Sequence, residues 1–134
     1  MNLGNAYSNL GRYLQAIDFH EQAPSLRREI GDRQGEAISL GNLGTAYQSL
    51  GPCQRAIEFH QQSLEIAREI GDRLGVATSY FNLGNTMAKL DQKPEDIISA
   101  YENARQLFQN MKLYRSVERC DAALRKFDSK EDGD

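Results

Sequence analysis

The 134 residues predict an all-α fold built from stacked antiparallel helix pairs. Three observations carry that prediction. The sequence repeats itself at a period of 40 residues, the first two repeats divide at a glycine into two stretches with helical apolar spacing, and runs of β-branched residues alternating with polar ones are scarce.

The repeat is visible in the words themselves. LGNAYSNLG begins at Leu3, LGTAYQSLG at Leu43 and LGNTMAKLD at Leu83, while REIGDRQGEA at Arg28 returns as REIGDRLGVA at Arg68. Residues 3–37 laid on 43–77 without gaps give 19 identities in 35 positions, far beyond coincidence. The third unit is looser. It matches at Leu83, Gly84 and Leu90, then needs one extra residue within 92–94 to bring Ala104 into register with Ala23 and Ser63.

The second unit shows how each element arises. Ala46, Tyr47 and Leu50 follow Leu43 at offsets of three, four and seven, which places them on one helical face. Gly51-Pro52 ends that helix. A second apolar series follows at Ala56, Ile57, His60, Leu64 and Ala67 and stops at Ile70-Gly71-Asp72. Gly71 can take the left-handed conformation that closes a helix, and Asp72 can cap the next one. The same logic predicts helices over about 1–10, 13–30, 33–50, 53–70, 73–90, 94–110 and 113–127. These group into units at about 1–32, 33–72 and 73–111, a capping helix at 113–127, and a frayed polar tail at 128–134.

Gly4, Gly44 and Gly84 occupy one equivalent position in the first helix of each unit. A glycine inside a helix costs about 1 kcal/mol relative to alanine, so its return at each period predicts a close approach by a neighbouring backbone or side chain. Tyr101, Phe108 and Tyr114 read as core of the terminal unit, or as an exposed aromatic anchor for a partner.

Composition narrows the function. A net charge of −3 and a pI near 5.4 argue against a dedicated nucleic-acid binder. No stretch approaches the roughly 20 apolar residues that span a bilayer, and the N-terminus lacks the basic and apolar segments of a secretory signal. Cys53 and Cys120, far apart in sequence, form neither a disulfide framework nor a zinc pattern. Reduced thiols in the cytoplasm are the expectation. No glycine-rich phosphate loop, nucleophile motif or HExxH is present, so neither catalysis nor a cofactor is expected. His20 and His60 are equivalents 40 residues apart, too distant along a stack to share a metal, and are expected to pack at the helix seam.

With Leu43-Gly44-x-x-Tyr47, Ala56 and the spacing from His60 to Ser63 in place, the chain resembles the tetratricopeptide repeat family over about residues 1–127. The 40-residue wording is similar to its long-repeat branch, which includes G-protein-signalling modulators, kinesin light chains and many bacterial arrays. The resemblance implies a right-handed superhelical solenoid of about three helix pairs plus a capping helix. It also implies a concave groove, lined by the first helix of each pair, that binds peptides.

In that geometry Asn42 and Asn82 form one row, and Thr45 and Asn85 a second row three residues on, which is the same helix face. A carboxamide offers both a donor and an acceptor, so the resemblance implies that Asn42, Asn82 and Asn85 hold the backbone of an extended peptide. The alternative is that these asparagines merely solvate an exposed face or bond a neighbouring helix. Ile38, Thr78 and Phe81 would set side-chain preference, with Gln48, Ser49 and Lys89 towards the far edge and Arg119 facing in from the last helix. Lys89 and Arg119 alone are too few for a carboxylate clamp, which needs several cations converging on one anion. The charge clusters Arg28-Glu29, Asp32-Arg33, Arg68-Glu69 and Asp72-Arg73 interleave opposite signs and are expected to pair with each other.

The sequence departs from the pattern in three places. The first helix is short. Pro24 stands where Leu64 stands one unit later, which predicts a kink or break over 20–24. Asp91 replaces the turn glycine of Gly11 and Gly51. Leu3, Tyr7 and Leu10 present an apolar end without a polar cap, so a homo-oligomer formed through the N-terminal helices is a second expectation. The leading expectation is a non-catalytic protein-interaction scaffold with a protein or peptide partner, no nucleic acid and no membrane.

Overall fold

A computed structural model describes residues 11–12, 30–51 and 54–132. The truncated first helix, the apolar N-terminal end, Pro24, His20 and Cys53 lie outside the described residues. Five helices make up nearly all that is described: α1 (Ile30–Leu50), α2 (Gln54–Ile70), α3 (Arg73–Lys89), α4 (Pro94–Asn110) and α5 (Tyr114–Asp132). Each packs on the next in the chain, and α1 also touches α3 directly, which is the contact order of stacked helix pairs. There is no strand among the described residues.

Two boundaries differ from expectation. The last helix runs to Asp132, past the expected end near 127. The first described helix starts at Ile30, so Gly31 and Asp32 are helical, whereas the identical dipeptide Gly71-Asp72 is a turn. At 71–72 the turn is held by Gly71 N donating to Arg68 O (3.2 Å) and Asp72 N to Ala67 O (2.9 Å). Gly71 is left-handed (φ 73°), and Asp72 Oδ1 accepts from Gly75 N at 3.0 Å to cap α3.

The same pair of closing bonds recurs at the ends of α3 and α4. Asp91 N donates to Ala88 O and Gln92 N to Met87 O; Lys112 N donates to Gln109 O and Leu113 N to Phe108 O. The left-handed residue is Asp91 (φ 55°) in one and Lys112 (φ 60°) in the other. The substitution of Asp91 for a turn glycine therefore leaves the turn intact at a conformational cost.

The periodic glycines do mark close approaches. A Cβ on Gly44 would lie 2.8 Å from His60 Nε2, and one on Gly84 would lie 2.7 Å from Tyr101 Cε1. With the extra residue of the third unit counted, Tyr101 is the counterpart of His60, one ring per unit lying on the glycine of the preceding helix. Both rings are buried.

Between the helices the core forms three successive clusters. Ala37, Leu40 and Ile66 join α1 to α2; Ile57, Leu64 and Leu83 join α2 to α3; Ala77, Ala104, Phe108, Val117 and Cys120 join α3, α4 and α5. Small hydroxyls fill the seams. Ser63 Oγ donates to Ala37 O at 2.7 Å, and buried Thr86 places its hydroxyl 2.6 Å from Gln48 Oε1 and 2.9 Å from Asn82 O, tying α3 to α1. Of the junction charges, Arg33 pairs with Glu69 across helices (2.5 Å) and with Glu36 one turn on in its own helix (2.8 Å). Arg68 lies over the Tyr80 ring and donates to its hydroxyl.

Candidate functional site: a furrow across the first helices

The first helix of each pair, α1 and α3, and the last helix, α5, contribute to three cavities in a row. The first, about 250 Å³, lies between Ile38, Gly41 and Asn42 of α1 and Leu74, Thr78 and Asn82 of α3, above Ser63 and Ala67. The second, about 120 Å³, takes in Leu74, Thr78 and Phe81 of α3, Phe108 of α4, and Ser116 and Arg119 of α5. The third, about 470 Å³, is enclosed by Phe81, Asn85 and Ala88, by Ile97 and Tyr101, and by Arg119, Ala123, Lys126 and Phe127. Leu74 and Thr78 belong to the first two, and Phe81 and Arg119 to the last two, so the cavities join as one furrow.

Seven of the residues singled out from sequence line this furrow: Ile38, Asn42, Thr78, Phe81, Asn82, Asn85 and Arg119. Ile38 is 58% exposed, unusual for an isoleucine in a packed helix pair. Arg119 sits 4.9 Å from the centre of the Phe81 ring, a cation–π contact at the junction of the second and third cavities. Thr45 and Lys89 lie outside all three cavities. The Thr45 hydroxyl donates to Gly41 O on its own helix (3.1 Å), and Lys89 is exposed at the end of α3. Gln48 is engaged with Thr86, and the Ser49 hydroxyl donates to Thr45 O.

The asparagines are not equivalent. Asn85 Oδ1 accepts the Tyr101 hydroxyl at 2.7 Å, which ties up one lone pair of its oxygen and leaves both amide N–H groups without a partner among the described residues. Asn42 and Asn82 have no side-chain hydrogen bond among the described residues and keep both donor and acceptor. Burial pushes the Tyr101 phenol up to about 12, so it remains a neutral donor. Burial likewise pushes the Cys120 thiol up to about 11, which leaves it unreactive under the α5 surface.

His60 is buried with neither ring nitrogen hydrogen-bonded, and burial pushes it down to about 4. It packs as a neutral ring against Gly44. Among the described residues no group of three His, Cys, Asp or Glu could hold a metal. Tyr101 and Phe108 are buried core, whereas Tyr114 is 57% exposed at the start of α5.

The α4 and α5 walls of the third cavity escaped the sequence reading, apart from Arg119. Reading α5 as a cap hid its correspondence to α3. A shift of 41 residues, the period plus the extra residue, makes Thr78, Asn82, Asn85 and Thr86 the counterparts of Arg119, Ala123, Lys126 and Phe127. That register was the signal available.

A short-looped stack of antiparallel helix pairs with a furrow across its first helices is an α-helical repeat of the solenoid class. The tetratricopeptide repeat model matches residues 1–69 and 46–110, and the chain belongs to that family. Repeats of this family generally mediate protein–protein interactions and are non-catalytic. Among curated proteins, G-protein-signaling modulator 1 of Mus musculus and of Rattus norvegicus are each 52% identical to this chain over 40 residues. That match covers 30% of this chain and 6% of each relative. No helix among the described residues is long and apolar enough to cross a membrane.

Proposed function

We propose that the chain is a non-catalytic scaffold that binds an extended segment of a protein partner along the furrow, in the cytoplasm. The observation that carries this reading is the merging of the three cavities across α1, α3 and α5, with Asn42 and Asn82 on its rim at equivalent places one repeat apart. A carboxamide can bond both the N–H and the C=O of an extended backbone without reading its side chains. Ile38, Leu74 and Phe81 offer apolar contacts between the amides, and the helices present them already in place, which lowers the ordering cost of binding.

The test is affinity capture from native extract with the intact chain, run beside an Asn42→Ala/Asn82→Ala variant of equal helicity. A partner retained by the first and lost by the second supports furrow recognition. Partners held equally by both move the binding surface to the convex face or the ends.

A further inference from the structure

The third cavity lies where two residues differ from their counterparts one repeat earlier. Between α1 and α3, Gln48 and Thr86 meet at 2.6 Å and close the gap. Their counterparts between α3 and α5 are Ala88 and Phe127, which cannot form that bond. α1 and α3 are in direct contact, whereas α3 and α5 do not pack to the same extent, and a wedge of about 470 Å³ opens between them. That volume lies within the range of sites that accept small ligands or an anchoring side chain with its flanking backbone.

The chemistry of the wedge is one-sided. Its floor is apolar, with Phe81, Ile97, Tyr101 and Phe127. Along the α5 wall stand Arg119 and Lys126, seven residues apart and so on one face, with no carboxylate within ion-pair distance among the described residues. Arg33 and Arg105, by contrast, are both paired. Asn85 adds its two N–H donors, while Tyr101 takes one lone pair of its oxygen. The single acidic group, Asp91, lies on the opposite wall at the α3–α4 turn. The charged residue at the 250 Å³ cavity is instead a carboxylate, Asp72, so the two ends of the furrow differ in sign.

We propose that this wedge is the anchoring subsite of the furrow, which takes one bulky apolar side chain from an acidic stretch of the protein partner while the flanking carboxylates lie along Arg119 and Lys126. The proposal rests on the furrow reading above. Arg119 and Lys126 are spread along the wall and do not converge, so they favour several carboxylates in sequence over one clamped anion. Apolar burial supplies the anchor, and the exposed charges set which segment is accepted and how fast it docks.

The test uses four capped decapeptides in a Gly/Ser background, with the cores Glu-Glu-Phe-Glu-Glu, Lys-Lys-Phe-Lys-Lys, Glu-Glu-Ala-Glu-Glu and Gly-Ser-Phe-Ser-Gly. Each is titrated into the ¹⁵N-labelled full chain. The first is expected to bind at least ten-fold more tightly than the other three and to shift the amides of Ala123, Lys126 and Phe127. Ala123→Phe, which fills the wedge from a partly exposed position, should abolish that preference. Arg119→Glu/Lys126→Glu should transfer it to the lysine peptide. If the first peptide binds no better than the others, or shifts residues elsewhere, the proposal is overturned. A captured partner that is lost with Asn42→Ala/Asn82→Ala but kept by Ala123→Phe would leave the furrow standing and remove the subsite. A partner indifferent to both variants would remove the furrow itself.

Discussion

His60 makes the stability of this chain depend on pH in a way that can be isolated. The ring is 1% exposed, neither nitrogen has a partner, and burial lowers its pKa from 6.5 to about 4. The unfolded chain therefore takes up the proton first. Stability from the neutral ring is fully present above the unfolded value and is lost as pH falls from about 6.5 towards about 4, where the loss levels off. At pH 5 the unfolded state gains a factor of roughly 33 from protonation and the folded state roughly 1.1. Their ratio, about 30, corresponds to about 2 kcal/mol. The full shift of about 2.5 units corresponds to about 3 kcal/mol. The perturbation is His60→Phe, which keeps a ring in the seam and removes the titration. Urea unfolding of both proteins at pH 8 and pH 5 supplies the assay, and the other titrating groups, His20 among them, cancel in the difference. The wild type should lose about 2 kcal/mol more than the variant between the two pH values. Parallel losses would refute the argument, because they would mean that the ring already finds water or an acceptor in the folded state.

Other expectations concern the turns and the glycine seats. Gly84→Ala gains up to about 1 kcal/mol of helix propensity but drives a methyl to 2.7 Å from the Tyr101 ring, an overpacking cost of about 1–3 kcal/mol; thermal melting should show a net loss. The variant should also weaken the Tyr101–Asn85 bond, visible as a shift of the Asn85 side-chain amide. Lys112→Gly relieves a left-handed lysine (φ 60°) and should stabilise by about 1 kcal/mol in chemical unfolding. Asp72→Ala removes the cap on Gly75 N and should cost about 1 kcal/mol, read as a lower denaturant midpoint with an unchanged slope.

The repeats, the helix ends and the glycine seats were legible in the chain because each is a local or periodic signal. A 40-residue period, an apolar face at offsets of three and four, and a glycine retained inside a helix at Gly44 and Gly84 all state what one element needs from the next. Part of the furrow rim was expected too, since spacing puts Thr78, Asn82 and Asn85 on one helix face with Asn42 one repeat earlier, and the family resemblance made that face the groove lining. Tertiary structure decided what spacing cannot carry. The same Gly-Asp dipeptide is helical at 31–32 and a turn at 71–72. Asn85 accepts from a tyrosine 16 residues away. The 470 Å³ cavity opens at the α3–α5 junction, where Ala88 and Phe127 stand in place of a hydrogen-bonded pair. Periodicity tells which way a side chain faces along its own helix. How far apart two helices settle, and hence whether the residues between them meet or leave a cavity, depends on side chains from several elements packed together.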